Sequence, residues 1–250
     1  MPLPGMGLAA ALVTALTLTL SGCSMETTAP GSARGEAASD AKGEFGPVDC
    51  RKAKCIALTF DAGPGEDTPR LLDILKEKKV HATFFLLGKH HVVKHPEVVQ
   101  RIEDEGHEVA NHTWTHQVLT DRKPDEVRAE LEKTQVAIEK ITGKKPRLMR
   151  PPQGRTDDTV SDISKDLGLS QVLWSATAKD YSTNDSALIK KRILDQASKD
   201  GVILLHDIYK GTVPAVPGII DALQKDGYTF VTVPELMAPA EPQPGTIYRP

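Results

Sequence analysis

From residue 55 to residue 232 the chain alternates short apolar runs with longer amphipathic ones, and that alternation restricts it to an α/β fold. Residues 55–60 (CIALTF) are apolar without interruption, as a strand covered on both faces must be. Further short runs at 82–87, 108–110, 148–150, 171–174, 202–205 and 228–232 make seven strands. Between them lie helical segments. Thr68-Pro69 provides a capping residue followed by proline, opening a helix over 68–78. His95-Pro96 opens one that closes at Gly106, and 124–142 carries Val127, Leu131, Ile138 and Ile141 at helical spacing before Gly143. Helices over 156–167, 186–198 and 217–226 complete the series.

A chain of 250 residues, 39% of them hydrophobic, can bury one sizeable core. The absence of any period of 20 to 50 residues excludes a solenoid. A net charge of -3 without a long single-sign run gives no surface for nucleic acid.

The ends are of a different kind. Residues 8–20 are an apolar run, short for a membrane span, that ends in Leu20-Ser21-Gly22-Cys23, which resembles a bacterial lipobox. The resemblance implies a signal peptide over 1–22, a lipid on Cys23, and anchorage to the outer face of the cytoplasmic membrane. Residues 1–7 lack the usual Lys or Arg. Residues 23–46 are small, polar and Gly/Pro-containing, the composition of a flexible tether. The domain is expected over 47–238, with 239–250 as a tail. Cys50 and Cys55, in an extracytoplasmic segment, are expected to form a disulfide.

Chemistry-bearing residues fall where the expected strands end. Asp61 follows the first, His112 and His116 the third, Arg150 the fourth, Asp180 the fifth and His206-Asp207 the sixth. In a parallel β/α arrangement these ends share one rim, where active sites lie. His112 and His116 stand four apart, which on a helical turn places both imidazoles on one face, as metal ligands require. His91 and His95 share that spacing, but Pro96 disfavours helical geometry at His95, so His90, His91 and His95 are read as exposed. His81 and His107 have no partner at ligand spacing. Trp114 is open between a wall for a sugar ring and simple packing.

Thr59-Phe60-Asp61-Ala62-Gly63-Pro64, His112-Thr113-Trp114-Thr115-His116, Arg150-Pro151-Pro152-Gln153-Gly154, the segment from Trp174 to Tyr181, and Leu204-Leu205-His206-Asp207 resemble, in order, the five motifs of the polysaccharide deacetylases of carbohydrate esterase family 4, the NodB-homology domain. The resemblance runs from Cys55 to about Leu236 and implies a distorted (β/α)7 barrel that removes acetyl groups from sugar polymers. It also implies roles. His112 and His116 would hold a divalent ion, zinc first, with cobalt, nickel or manganese as alternatives. Asp61 would be the general base, oriented by Arg150, and His206 the general acid, tuned by Asp180. A backbone N–H near Gln153 would meet the oxyanion, while Leu204, Trp174 and Tyr181 would line the substrate site.

Three positions depart from the family pattern. Ala62 stands where a second aspartate completes the metal site, leaving water, Asp61, Glu66 or Asp67 to fill the gap. Gln153 replaces an aromatic residue, and Thr177 and Tyr181 stand where Asp and Trp are common. The expected activity is N-deacetylation of cell-wall glycan, N-acetylglucosamine of peptidoglycan first, by a monomer without protein partners. A glycan-binding lipoprotein with little catalysis and an O-deacetylase of acetylated xylan are the alternatives.

Overall fold

The computed structural model describes residues 1, 25–40 and 47–250. Its centre is β1 (Lys54–Asp61), buried from Cys55 to its end. One edge of β1 pairs in parallel with β7 (Gly201–Leu205). The other edge is shared, because eight residues are long enough for two short neighbours: Lys54 to Ala57 pair with β8 (Tyr228–Val231), and Thr59 to Asp61 with β2 (Thr83–Leu86). The sheet continues through β3 (Glu108–Asn111), β4 (Leu148–Met149) and β5 (Ser170–Val172), every pairing parallel. It curls into a distorted (β/α)7 barrel whose helices are α2 (Thr68–Lys78), α3 (Pro96–Asp104), α4 (Pro124–Thr142), α5 (Asp158–Asp166), α6 (Ser186–Leu194) and α7 (Thr212–Lys225).

The seven expected strands are present, with ends shifted by at most two residues. Two more belong to the sheet. β6 (Ala176–Thr177) pairs with β7, and β9 (Ile247–Tyr248) extends β5. The expected C-terminal tail thus closes an edge of the sheet, its Ile247 and Tyr248 buried. α7 begins five residues before its expected start at Pro217. Val213, Ala215 and Val216 are buried on it, and that burial outweighs the hydrogen bond that Pro217 forfeits inside the helix.

The period of two along β1 sorts its side chains. Ile56, Leu58 and Phe60 point outward into the layer shared with α2 and α7, whereas Cys55 and Ala57 point inward, with Phe85, Ala110, Leu148, Val172, Val202 and Val231. That inner cluster is closed by Val233, Leu236 and Met237 of α8 (Val233–Met237) and by the expected Cys50–Cys55 disulfide. Thr59 and Asp61 continue the inward set towards the strand's C-terminal end, above the apolar plug.

Part of the expected tether is folded. α1 (Pro30–Asp40) carries Arg34, whose guanidinium bonds Asp200 at 2.8 and 3.1 Å and the Leu236 carbonyl at 2.8 Å. Ahead of it, Thr28 bridges to Tyr248. Composition predicts a spacer because the segment has little to bury, but one buried arginine with a carboxylate and a carbonyl fixes the helix instead. Cys23 and the expected signal peptide lie outside the described residues. Among the described residues no helix is long and apolar enough to cross a membrane.

Candidate functional site

Asp61, His112, His116, Pro151, Gln153, Trp174, Thr177, Lys179, Tyr181, Leu204, His206 and Tyr209 surround a cavity of about 580 Å3 at the C-terminal ends of the strands. The expected site residues are therefore brought together, with Arg150 and Asp180 behind them.

Arg150 follows β4 and points inward with no exposed surface. Its Nη1 donates to Asp61 Oδ1 at 2.7 Å and to Thr59 Oγ1 at 2.8 Å, and its Nε donates to the Val172 carbonyl at 2.9 Å. The Phe85 ring lies 4.1 Å from the guanidinium carbon, a cation–π contact within the barrel. Asp61 is thus oriented at one oxygen, and its other oxygen, Oδ2, lies 3.8 Å from His112 Nε2.

The stretch 111–116 is not the helical turn that the spacing of its histidines predicts. It is a loop with Thr113 and His116 at positive φ, 74° and 62°, and it still sets the two imidazole rings 4.9 Å apart. The loop is held by residues outside the motif. Glu130, on α4 and nearly buried, accepts from Trp114 N at 3.1 Å, Thr115 N at 2.7 Å and Thr115 Oγ1 at 2.7 Å. Asn111 accepts from Thr113 N and donates to the Leu131 carbonyl, both at 2.8 Å. Trp114 packs on Gly88, where a Cβ would fall 2.1 Å from its ring; it is a packing residue and does not line the cavity.

Removing the Glu130 carboxylate strands three donors. Glu130→Ala is expected to cost about 2 to 3 kcal/mol in urea unfolding and to lower activity, with Glu130→Gln milder because its carbonyl still accepts.

Burial pushes His112 down to about 4, so its ring is neutral, with Nδ1 at 2.8 Å from the Arg150 carbonyl as donor and Nε2 turned to the cavity as acceptor. His206 moves the other way. Burial works to lower it, but the hydrogen bond from Nδ1 to Asp180 Oδ1 at 2.8 Å and the Asp180 charge outweigh this and raise it above its ordinary value. Asp180 Oδ2 also accepts from His206 N at 2.7 Å and Thr212 Oγ1 at 2.8 Å, which fixes the pair. With Asp180→Asn the charge is gone and burial prevails, so the pKa of His206 falls. If His206 must be protonated to act, activity is lost at lower pH than in the parent. The expected result is a pH profile whose alkaline limb moves towards acid, with about tenfold lower activity at pH above 7.

Asp207, which the sequence places beside His206 at the end of the sixth strand without a role, is fully buried and is pushed up to about 6 by that burial. Its Oδ2 takes the Thr68 hydroxyl at 2.5 Å, and a Cβ at Gly63 would fall 2.5 Å from Oδ1, so glycine lets the loop after Asp61 lie against it. The other histidines are accounted for. His107 is core, accepting from Ala82 N at 3.1 Å, while His90 and His81 are exposed. His91 and His95 are half-buried, against the expectation of exposure: His91 Nδ1 meets the Pro64 carbonyl at 3.0 Å, and His95 sits at the start of α3 with its Nδ1 3.9 Å from Glu97.

A divalent ion would find the two imidazoles of His112 and His116, but the residue after Asp61 is Ala62, and Asp61 is engaged with Arg150. Glu66 is exposed and Asp67 is half-buried, and neither lines the cavity. Among the described residues no three His, Cys, Asp or Glu side chains are grouped to hold a metal. The donor set therefore falls short of the three protein ligands of a resident catalytic zinc.

Two titratable pairs in different surroundings, Asp61 with Arg150 and His206 with Asp180, face one cavity on the rim of a parallel β/α barrel, an arrangement suited to acid–base hydrolysis. The chain belongs to the polysaccharide deacetylase family, carbohydrate esterase family 4, which it matches over residues 49–172. It is 39% identical over 184 residues to the peptidoglycan-N-acetylglucosamine deacetylase PgdA of Listeria monocytogenes, an alignment that covers 73% of this chain and 39% of that longer protein. It is 37% identical to the peptidoglycan-N-acetylmuramic acid deacetylase PdaA of Bacillus subtilis, with 74% and 72% covered. Among solved structures, the T48 deacetylase with substrate superposes with a TM-score of 0.77 at 39% identity, covering 80% of this chain and 99% of that one. A family 4 acetyl xylan esterase from Clostridium thermocellum, in complex with a cobalt ion, superposes with a TM-score of 0.72 at 31% identity, covering 78% and 97%.

Proposed function

We propose that the protein hydrolyses the acetamide of N-acetylated sugars in a cell-wall glycan, N-acetylglucosamine of peptidoglycan first. The observation that carries this reading is the placement of Asp61–Arg150 and His206–Asp180 around one cavity lined by Trp174, Tyr181 and Tyr209. Asp61 accepts a proton from water as the water oxygen bonds to the acetamide carbonyl carbon. A backbone N–H near Gln153 receives the oxyanion. His206 then protonates the nitrogen as the carbon–nitrogen bond breaks, and acetate and a free amine result. Leu204 borders the acetyl methyl, and Trp174, Tyr181 and Tyr209 offer faces for sugar rings.

The reading of membrane anchorage rests on Cys23 and its preceding residues alone, and its test is loss of the chain from the membrane fraction with Cys23→Ala.

The test of the activity is acetate release from peptidoglycan, N-acetylglucosamine oligomers and acetylated xylan by residues 24–250, which keep α1 and the Thr28 bridge. It is run with chelator and again with zinc or cobalt restored. Release from the first two is expected, and dependence on added metal would assign an exchangeable ion to His112 and His116. No release under any condition, by protein that still binds glycan, sinks the enzyme reading. The missing third ligand at Ala62 favours that second reading, a glycan-binding lipoprotein.

A further inference from the structure

We infer that Lys179 forms a carboxylate subsite at the lip of the catalytic cavity and that the preferred substrates are glycans with an anionic substituent beside the reacting acetamide. The inference deepens the deacetylase reading and relies on it for where the acetamide lies.

Among the described residues Asp61 is the one carboxylate in the lining, and Arg150 pairs with it at 2.7 Å. Any charge on His206 is met by Asp180 at 2.8 Å. The imidazoles of His112 and His116 stand 4.9 Å apart, with His112 Nε2 3.8 Å from Asp61 Oδ2, so the nearest charge to them is that of the paired Asp61. Thr177, where the family pattern commonly has an acid, brings no charge to the lining. Lys179 is left. Among the described residues no carboxylate or carbonyl takes its ammonium, whereas Lys78, Lys144 and Lys191 each have an acidic partner.

The backbone of Lys179 is fixed although its side chain is exposed. It is left-handed, φ 48° and ψ 46°, a conformation uncommon for a residue with a long side chain. Its N–H donates to Thr177 Oγ1 at 3.3 Å, and its carbonyl accepts from Ser182 N at 2.9 Å and Ser182 Oγ at 2.6 Å. Arg192 Nη1 holds the preceding carbonyl, of Ala178, at 2.8 Å, and the next residue is the buried Asp180. The turn therefore delivers one unpaired cation to a wall that also bears Trp174 and Tyr181. Low-dielectric walls concentrate the field of such a charge on a bound ligand. Muramyl sugars, with an ether-linked carboxylate and an acidic peptide, present the matching group. Chitin-like oligomers and xylan do not.

The test uses the full chain in detergent and two oligosaccharides of equal length, one of N-acetylglucosamine alone and one with N-acetylmuramyl units, with binding followed by calorimetry and turnover by acetate release. Lys179→Ala is expected to weaken binding of the muramyl oligomer about 10-fold and Lys179→Glu more, with the neutral oligomer changed less than about twofold. The difference shrinks as ionic strength rises from about 0.05 to about 0.5 M. Lys210→Ala removes the same charge from an exposed position outside the lining and is expected to leave both oligomers unaffected. Equal losses on the two oligomers, or an equal effect of Lys210→Ala, would overturn the subsite while leaving the deacetylase reading intact. Selective muramyl binding through Lys179 with no acetate released from either oligomer would keep the subsite and overturn the reaction.

Discussion

Asp61→Asn is expected to lower kcat/KM for acetate release about a thousandfold or more while leaving glycan binding nearly unchanged. The carboxylate faces the cavity and, among the described residues, is the one acidic side chain in its lining, and general-base catalysis contributes about 100- to 10,000-fold. The same change acts on stability, for a reason that lies deeper in the barrel. Arg150 is fully buried and, among the described residues, Asp61 is its one anionic partner, at 2.7 Å. Removing one member of a buried pair leaves an uncompensated charge, a loss of about 3 to 5 kcal/mol. Asparagine keeps an oxygen for Nη1, which places the expected loss towards the lower end. The double change Asp61→Asn with Arg150→Met removes both charges and is expected to recover part of the stability but none of the activity. Urea unfolding with acetate assays on the single variant, the double variant and the parent separates the two effects. A single variant that unfolds like the parent would show that the pair is not coupled, and one that retains turnover would remove Asp61 from the proposed reaction.

What made the barrel legible was the coincidence of two periodicities. Strands covered on both faces must be apolar throughout, so residues such as Asp61, Arg150 and His206 stand out as polar breaks at strand ends, and the parallel arrangement carries all of them to one rim. The supports of the site were not legible. Glu130 lies fifteen positions beyond Thr115 and reads as one more acid on an amphipathic helix; only the packing of α4 beside β3 turns its carboxylate to the loop amides. Asp207 was visible beside His206, but its partner Thr68 is 139 positions away, so the contact could not be read from spacing. The spacing of His112 and His116 pointed to the right pair by the wrong geometry, since left-handed residues in a loop can match the distance of a helical turn. Short elements failed for a different reason. β6 and β9 have two residues each, too few to show any period, and α1 is held by Arg34, whose effect depends on Asp200 at the far side of the sequence.

Ala62→Asp is expected to convert a weak metal site into a strong one. Ala62 sits at φ 67°, where aspartate and asparagine are tolerated better than alanine, so the backbone does not oppose the change. The difficulty is burial, since the residue is 6% exposed and follows Asp61 directly. A second carboxylate there, without a cation, adds like charge in a poorly solvated place and should lower the melting temperature measured in chelator. With zinc the sign reverses. An ion that binds only the folded state stabilises it by about 2.7 kcal/mol at a hundred times its dissociation constant, about 5 to 10 °C for a domain of this size. The parent, with two imidazoles as its donors, should move much less under the same zinc concentration. A zinc shift no larger in the variant than in the parent would show that position 62 does not face the two histidines. If the shift appears and acetate release rises with it, Ala62 is what limits the parent enzyme; if it appears and turnover does not follow, the limit lies elsewhere in the site and the glycan-binding reading gains.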